Sequence, residues 1–175
     1  MVSLECGCFM LVDSYQPDAN FISARQIEVT ASPDRVWQVL PELPVVLRNS
    51  RWAKVAAAPL LVAALLRGER GSGAVDFGRR PWTLREGEVL AGAFSVDRVD
   101  PCREVVLVGH HRMADYATNF YIEPNGTDRS RLHNVTRARF RTAGLGRVYL
   151  AGVHVFHDLY IDWMLRALKR RAEAV

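Results

Sequence analysis

Cysteine is scarce in this sequence, and its few positions exclude a fold held together by disulfides. Cys6, Cys8 and Cys102 are an odd number, whereas a disulfide framework needs pairs. The count favours a reducing compartment and predicts a cytoplasmic protein. The pair Cys6 and Cys8 has no second pair nearby, which makes it a weak metal signal. The sequence therefore predicts neither a bound metal nor another cofactor.

Long apolar runs are also missing. The stretch Val55–Leu66 has twelve residues without a charge and is interrupted by Pro59, whereas a membrane-spanning helix needs about 20 apolar residues. A buried helix pair, or a lid whose apolar face closes a cavity, explains this stretch better than a segment that touches a membrane, which stays open as an alternative. The first residues include Glu5 and have no basic start before the apolar run Cys8–Val12, so no signal peptide is predicted.

Neither sign of charge is in large excess. The chain has 23 basic and 19 acidic residues and a net charge of +4, which by itself does not indicate a nucleic-acid partner. Arg137, Arg139 and Arg141 alternate along one predicted strand and so share a face. No aromatic residue shares that face for base stacking, since Phe140 alternates to the other side, and we interpret the arginines as a solvated outer face. The sequence also lacks a P-loop, a dinucleotide fingerprint, a nucleophile elbow and paired catalytic carboxylates.

The last part of the chain has a long uninterrupted helical period, from Gly144 to about Ala172. Such a helix runs about 40 Å at 1.5 Å per residue, so it must lie across something extended. Its charged stripe, which includes Asp158 and Asp162, is predicted to face away from the core. The residues predicted to face inward are Tyr149, Val153, Phe156, Tyr160, Met164 and Ala167, widened by Leu150, His157, Ile161 and Leu168.

Much of the remaining chain predicts short antiparallel strands after an extended lead-in at Asp13–Ser23. Ser32, Pro33 and Asp34 supply an N-cap, a first-position proline and a first-turn acid for a short helix that ends at Pro41. Strands are predicted at Ala24–Thr30, Ala74–Gly78, Thr83–Ala91, Gly92–Val99, Glu104–His111, Tyr116–Ile122 and Arg131–Arg141, with turns at Asp100-Pro101 and Pro124-Asn125-Gly126.

Two segments carry a resemblance to a known superfamily. The phrase Arg25-Gln-Ile-Glu-Val-Thr-Ala-Ser-Pro-Asp-Arg-Val-Trp37 resembles the opening of the START-like superfamily, in which a strand is followed by Ala-Ser-Pro and a short helix that carries Val-Trp. The segment Phe94-Ser-Val-Asp-Arg-Val-Asp-Pro101 and the terminal helix are similar in order and spacing, so the resemblance covers most of the chain from Asp13 onward. This superfamily, also called SRPBCC, includes polyketide cyclases, aromatases and birch-pollen-allergen proteins, and the chain is similar above all to uncharacterised bacterial members. Leu43–Arg67 is longer and more apolar than the resemblance implies.

The resemblance implies an α+β helix-grip fold, in which a curved antiparallel sheet wraps around the long C-terminal helix and encloses a cavity. We expect residues 1–23 to form a lead-in and residues 24–175 to form one domain, because 175 residues with 49% apolar content suit a single core. The resemblance does not imply one chemistry, since the fold hosts lipid carriers, hormone sensors, cyclases and chaperone activators.

The site is predicted from the side chains that point into that cavity, because a buried polar group without a partner costs about 1 to 3 kcal/mol. The candidates for proton transfer are His111, Tyr116, His157 and Tyr160, although a lone inward histidine is more often a structural residue. Asn134 is the most telling polar position, because asparagine is depleted within strands. The predicted ligand-binding set is Trp37, Phe94, Val96, Leu107, His111, Tyr116, Thr118, Phe120, Asn134, Thr136, Tyr149, Val153, Phe156, His157, Tyr160 and Met164.

Three potential metal ligands, His154, His157 and Asp158, lie within about one turn of the predicted helix. The helical period turns His157 inward and Asp158 outward, so no metal is predicted there.

The sequence predicts that the chain binds a hydrophobic small molecule, such as a lipid, polyketide or isoprenoid, between the sheet and the C-terminal helix. Two alternatives stay open. One is a cyclase or dehydratase, a lyase or isomerase that acts on such a molecule by general acid and base catalysis. The other is an interaction module that uses Val55–Leu66. The expected partner is an apolar ligand and not nucleic acid, with transient membrane contact and a homodimer as open alternatives.

Overall fold

The computed structural model describes residues 10–48, 81–90, 94–111, 114–141 and 146–174. In chain order the elements are a 3₁₀ turn at Leu11–Ser14, strand β1 (Phe21–Val29), helix α1 (Pro33–Val39), a 3₁₀ turn at Leu40–Glu42, helix α2 (Leu43–Arg48), strands β2 (Val89–Leu90), β3 (Phe94–Asp100), β4 (Glu104–His111), β5 (Ala114–Pro124) and β6 (Ser130–Phe140), and helix α3 (Gly146–Glu173).

The six strands of the described residues form one antiparallel sheet in the order β1-β6-β5-β4-β3-β2. Strands β3 to β6 pair in chain order, and β1 pairs with the last strand along the whole of Phe21–Val29. A β-bulge between Val96 and Arg98 shifts the register of β3 against β4, which adds local bend and twist. The predicted α+β class and helix-grip architecture are confirmed.

The start of α1 follows its sequence signal. Ser32 is the N-cap, and its Oγ accepts a hydrogen bond from the Arg35 amide at 3.3 Å, while Pro33 holds the first helical position. The predicted end at Pro41 is wrong in part. The chain continues through a 3₁₀ turn into α2, because Pro41 lies in the first positions of that turn, where its missing N–H leaves no bond unmade.

The predicted strand Thr83–Ala91 is wrong over most of its described length, since the strand there is Val89–Leu90, and Ala91 lies outside the described residues. The residues before them form a turn around Glu88, whose carboxylate accepts hydrogen bonds from the Thr83 hydroxyl and from the Arg85 amide. Gly87 has a φ of +83°, a conformation that glycine adopts without strain. These local bonds to the Glu88 side chain compete with strand pairing.

The main core lies between the inner face of the sheet and the second half of α3. Apolar residues of the central strands pack there against a helical stripe that recurs every three or four residues. The strand residues include Val96, Val105, Leu107, Phe120, Ile122 and Leu132, and the helix residues are Ile161, Met164, Leu165, Leu168 and Ala172. Helix α1, the 3₁₀ turn after it and helix α2 add Val36, Val39, Leu40 and Leu43 to this core.

A second, smaller core covers the outer face of the sheet. Met10 and Val12 pack on Ala117, Tyr121 and Val135. Residues 10–12 are held on the sheet by Glu104, which is 2% exposed. The Glu104 carboxylate accepts hydrogen bonds from the Leu11 amide at 2.9 Å, from the Val12 amide at 3.3 Å and from Asn119 Nδ2 at 2.6 Å. Part of the lead-in that the sequence predicted as extended is therefore a 3₁₀ turn docked on the sheet.

The rotation of α3 differs from the prediction. Phe156, which was predicted to face the sheet, is 52% exposed. Asp158 and Asp162, which were predicted to face away, lie at 3.5 and 3.3 Å from the Arg25 guanidinium on β1. The residues that the second half of α3 buries define a stripe along the helix. Continued toward the start of α3 with the same helical period, this stripe passes through Asp158 and not through Phe156.

Several predictions fall on residues outside the described ranges. These are the lead residues 1–9, the apolar run Val55–Leu66, the glycines 68, 71 and 73, and the predicted strand Ala74–Gly78. Within the described part of the chain, no helix combines the length and the apolar character that crossing a bilayer requires.

Candidate functional site

Two neighbouring rows of residues cross the inner face of the sheet at the end where α3 begins. In antiparallel strands, residues directly opposite each other share a face, so the register defines each row. The first row runs Ser23, Thr136, Thr118, Leu107 and Val96 from β1 to β3. The second row runs Phe21, Ala138, Tyr116 and Gly109 from β1 to β4.

Thr118 and Thr136 of the first row form a closed hydrogen-bond network with Asn134, which lies in the row beside it, opposite Arg25. Thr118 Oγ1 and Thr136 Oγ1 lie 2.8 Å apart. Asn134 Nδ2 donates to Thr118 Oγ1 at 3.1 Å and to the Asn119 carbonyl at 2.5 Å, and its Oδ1 accepts from Thr136 Oγ1 at 3.4 Å. Asn134 is 2% exposed, so protein groups already occupy much of its hydrogen-bonding capacity. The network accounts for an asparagine within a strand without a ligand.

Replacing Asn134 by leucine is expected to destabilise the fold. The Asn119 carbonyl and the Thr118 hydroxyl would each lose a buried partner, which costs about 1 to 3 kcal/mol. Urea unfolding measures this loss, and Thr136→Val, which removes one hydroxyl at nearly constant shape, is the matched control with a smaller expected effect. Unchanged stability together with weaker ligand binding would assign Asn134 to the ligand instead.

Tyr116 in the second row lies flat on the sheet. Its ring covers the Cα of Gly109 on the neighbouring strand, where a Cβ would overlap the ring and its hydroxyl. The Phe94 ring meets it edge to face, with centroids 5.0 Å apart and an interplanar angle of 66°. Burial raises the pKa of Tyr116 to about 12, so the side chain is a neutral phenol at physiological pH.

Two histidines of α3 lie against β1 at the same end. The Phe21 ring is 4.5 Å from the ring of His154 and 5.2 Å from the ring of His157, centroid to centroid. Burial lowers the pKa of His157, which favours a neutral imidazole. Its Nδ1 is buried and makes no hydrogen bond to any described residue, although Asp158 Oδ1 lies 3.6 Å away. Tyr160, one turn further along, is half-buried, and burial raises its pKa.

Asp158 joins the helix to β1. Its Oδ1 accepts a hydrogen bond from Ser23 Oγ at 2.6 Å, and its Oδ2 lies 3.5 Å from Arg25 and 3.6 Å from His154. Partial burial acts to raise the pKa of Asp158, but the Ser23 hydrogen bond and the charge of Arg25 lower it below its usual value. This carboxylate therefore holds the first half of α3 against the edge of the sheet.

Sequence reasoning missed the polar contacts between β1 and α3. The residues that make them are Ser23, Arg25, Asp158 and Asp162. A signal was present in β1, because counting back by two from Val29 and Ile27 puts Arg25 and Ser23 on the inner face. A charged residue on that face needs a partner, and Asp158 and Asp162, one helical turn apart, supply it.

His154, His157 and Asp158 do not form a chelating group in the structure. His154 and His157 approach Asp158 through long contacts of 3.6 Å each. Among the residues that the structure describes, no three histidine, cysteine or acidic side chains are grouped to bind a metal ion.

The other predicted site residues fall into three groups. Val96, Leu107, Phe120 and Met164 are packed in the main core, with Trp37 and Phe94 half-buried beside it. Phe156 lies on the exposed side of α3. The backbones of His111, Tyr149 and Val153 lie in β4 and α3, and their side chains are outside the described part of the structure. In the backbone register, His111 is opposite Ala114, beyond the second row.

A surface depression of about 560 Å³ lies at the other end of the helix. Its walls come from the β1 to α1 connection, the first turn of α1, the β5 to β6 turn and the last turn of α3: Thr30, Ala31, Ser32, Arg35, Asp128, Ala172 and Glu173. The Thr30 amide donates to Glu173 Oε1 at 2.7 Å, and Arg35 donates to the Ala174 carbonyl at 3.1 Å. These contacts anchor the helix end, and the depression does not touch the predicted site.

Solved structures share this fold. A START superfamily protein from Mycobacterium smegmatis matches with a TM-score of 0.50 and 12% identity, covering 87% of this chain and 97% of that one. The Zhui aromatase/cyclase from Streptomyces sp. R1128 has a TM-score of 0.48 at 16% identity, covering 87% and 93%. Truncated norcoclaurine synthase from Thalictrum flavum has a TM-score of 0.47 at 12% identity, covering 89% and 94%.

The fold assignment depends on the first of these structures, and at 12% identity the likeness concerns the fold alone. No protein-family model matches the sequence, and no curated protein is similar enough to count as a relative. The chain has the START-like helix-grip fold, as the resemblance in its sequence implied.

Proposed function

We propose that this protein binds a hydrophobic small molecule, of the lipid, polyketide or isoprenoid kind, between the inner face of the sheet and the first half of α3. The observation that carries the proposal is the second row, in which Tyr116 lies between Ala138 and Gly109. Two of these three residues have little or no side chain, and the ring of the third lies flat on the sheet. Because α3 approaches the sheet most closely at β1, we assign the ligand to the second row where it crosses β6, β5 and β4, beyond the main core.

The polar groups that border this space suit an apolar molecule with hydroxyl or carbonyl groups. Tyr116, with a pKa raised to about 12, is a phenol, and burial keeps the His157 imidazole neutral by lowering its pKa. The guanidinium of Arg25 is paired with Asp158 and Asp162 at the edge. An apolar pocket with a few uncharged hydrogen-bonding groups is the usual form of a site for such ligands.

Filling the second row is expected to weaken binding. Ala138 lies opposite Tyr116 on the inner face, so Ala138→Phe would place a ring in the proposed ligand space. Titration with the neutral fluorescent probe 1-N-phenylnaphthylamine should show a Kd weaker by about tenfold or more, which corresponds to about 1.4 kcal/mol of lost binding energy. The matched control is Ala24→Phe, the same substitution at an exposed position of β1; it should bind as the wild type does.

Native mass spectrometry of freshly purified protein should also detect a co-purified apolar molecule. A folded Ala138→Phe variant that binds the probe like the wild type would move the ligand away from this face. A wild-type protein that neither binds the probe nor carries such a molecule would reject the proposal.

The second candidate is a cyclase or dehydratase, and the half-buried His157 favours it. A neutral imidazole can take a proton from an enolisable substrate, and a phenol such as Tyr116 or Tyr160 can donate one. An enzyme of this kind should speed the exchange of α-protons of a simple diketone with deuterated solvent, followed by NMR. His157→Gln should remove the acceleration, and no acceleration by the wild type would count against this candidate.

The remaining predictions about partners concern other surfaces. The interaction module assigned to Val55–Leu66 falls outside the described residues, so it stays a hypothesis, as do a homodimer and transient membrane contact. On α3, the exposed apolar residues Val155, Phe156 and Leu159 are a surface on which such a contact can be tested. The cytoplasmic location stays a prediction from the sequence.

A further inference from the structure

Gly109 lies within β4 without a conformational reason to be glycine. Its backbone is extended and lacks the positive φ that marks Gly87 and Gly126, so alanine is compatible with it. Glycine inside a strand is destabilising relative to alanine, because the unfolded chain has more freedom to lose. The reason for this residue must therefore be the space above its Cα.

That space is taken by the side chain of Tyr116. The two residues are directly opposite in the register of β4 and β5. A Cβ on Gly109 would overlap Cε2, Cζ and the hydroxyl oxygen of Tyr116, so the far end of the side chain rests on the glycine. On the β3 side, the edge-to-face contact with Phe94 limits how far the ring can slide along the sheet.

We infer that Gly109 determines which ligands fit the proposed site, because it allows Tyr116 to lie flat as the floor of that site. With a Cβ at position 109, the ring has to leave the sheet. Phe94 lies on one side of it and the Thr118 and Thr136 pair occupies the neighbouring row, so the ring turns up into the space between sheet and helix. The inference rests on the proposed function, since the raised ring would occupy the ligand's volume.

Binding measurements on four proteins test this inference. With 1-N-phenylnaphthylamine as the probe, Gly109→Ala should weaken Kd by about tenfold, the size expected when one group overfills a packed space. Tyr116→Ala should bind the probe, and the double variant Gly109→Ala with Tyr116→Ala should recover the Kd of Tyr116→Ala within about threefold, because the group displaced by the new methyl is gone. Equal probe binding by the wild type and Gly109→Ala, or a double variant as weak as Gly109→Ala, would overturn the inference.

NMR gives a readout that needs no ligand. The Gly109 Hα that points where a Cβ would be faces the Tyr116 ring, so its resonance should be shifted upfield in the wild type and return to an ordinary value in Tyr116→Ala. An unshifted Gly109 resonance in the wild type would overturn the inference by itself. A shifted resonance in a protein that binds no probe would instead reject the proposed function, and with it the role of Gly109 in binding.

Discussion

Leu165→Asp is expected to unfold the domain, whereas Phe156→Asp is expected to leave it folded. Leu165 is 1% exposed in the main core, and Phe156 is 52% exposed on the same helix. An unpaired carboxylate buried at position 165 costs several kcal/mol, out of a total stability of about 5 to 15 kcal/mol for a typical domain. At position 156 the carboxylate stays in contact with water. Far-UV circular dichroism and urea unfolding of the two variants measure the difference.

The comparison tests the rotation of α3 directly. If Phe156→Asp unfolds the protein as Leu165→Asp does, the helix turns Phe156 toward the sheet, as the sequence period alone predicts. Leu165→Ala provides a variant that should remain folded, with an expected loss of about 2 to 5 kcal/mol from the cavity it leaves. A loss well below that range would show that Leu165 is not a core residue.

Glu104→Ala is expected to cost about 3 to 5 kcal/mol and to release the docked N-terminal segment from the outer face of the sheet. The Glu104 carboxylate accepts from the amides of Leu11 and Val12 and from Asn119 Nδ2, and it is 2% exposed. Alanine leaves all three donors without this acceptor. Hydrogen exchange should show that the Leu11 and Val12 amides lose protection, and urea unfolding should show the loss of stability.

The matched control is Asp100→Ala, which removes an acid from the same end of β3 and β4. Asp100 has a half-exposed contact with Arg103 at 3.6 Å, and exposed ion pairs contribute about 0 to 1 kcal/mol. Equal losses for the two variants, or protected Leu11 and Val12 amides in Glu104→Ala, would show that Glu104 does not hold the segment.

The parts of the fold that follow from neighbours in the chain were predictable. Strand β4 spans Glu104–His111 as its alternation predicts, and β6 differs from its predicted bounds by one residue at each end. The cap at Ser32 is fixed by residues within three positions of it. Periods, caps and turns are local, so a single sequence is enough to read them.

The sequence predicted which strand residues face the candidate site better than it predicted how their side chains are arranged there. Tyr116 and Thr118 were assigned to one face of a strand, and the register confirms that they belong to adjacent rows of the inner face. That Tyr116 lies flat over Gly109 depends on a residue seven positions earlier in the chain, and the Thr118 contact with Thr136 joins two strands. Alternation alone gives the face of a side chain and not the direction in which it leans.

By itself the sequence determined strands β4 and β6, the cap of α1 and the presence of a long C-terminal helix, because each depends on residues a few positions apart. Only the tertiary structure decided which stripe of α3 is buried, since Asp158 meets Ser23 across 135 positions of the chain. It also decided that the outer face at Glu104 is covered, through a hydrogen bond to Val12 that spans 92 positions. A charged residue looks solvent-exposed in a local pattern, and it can be buried when distant groups satisfy its hydrogen bonds.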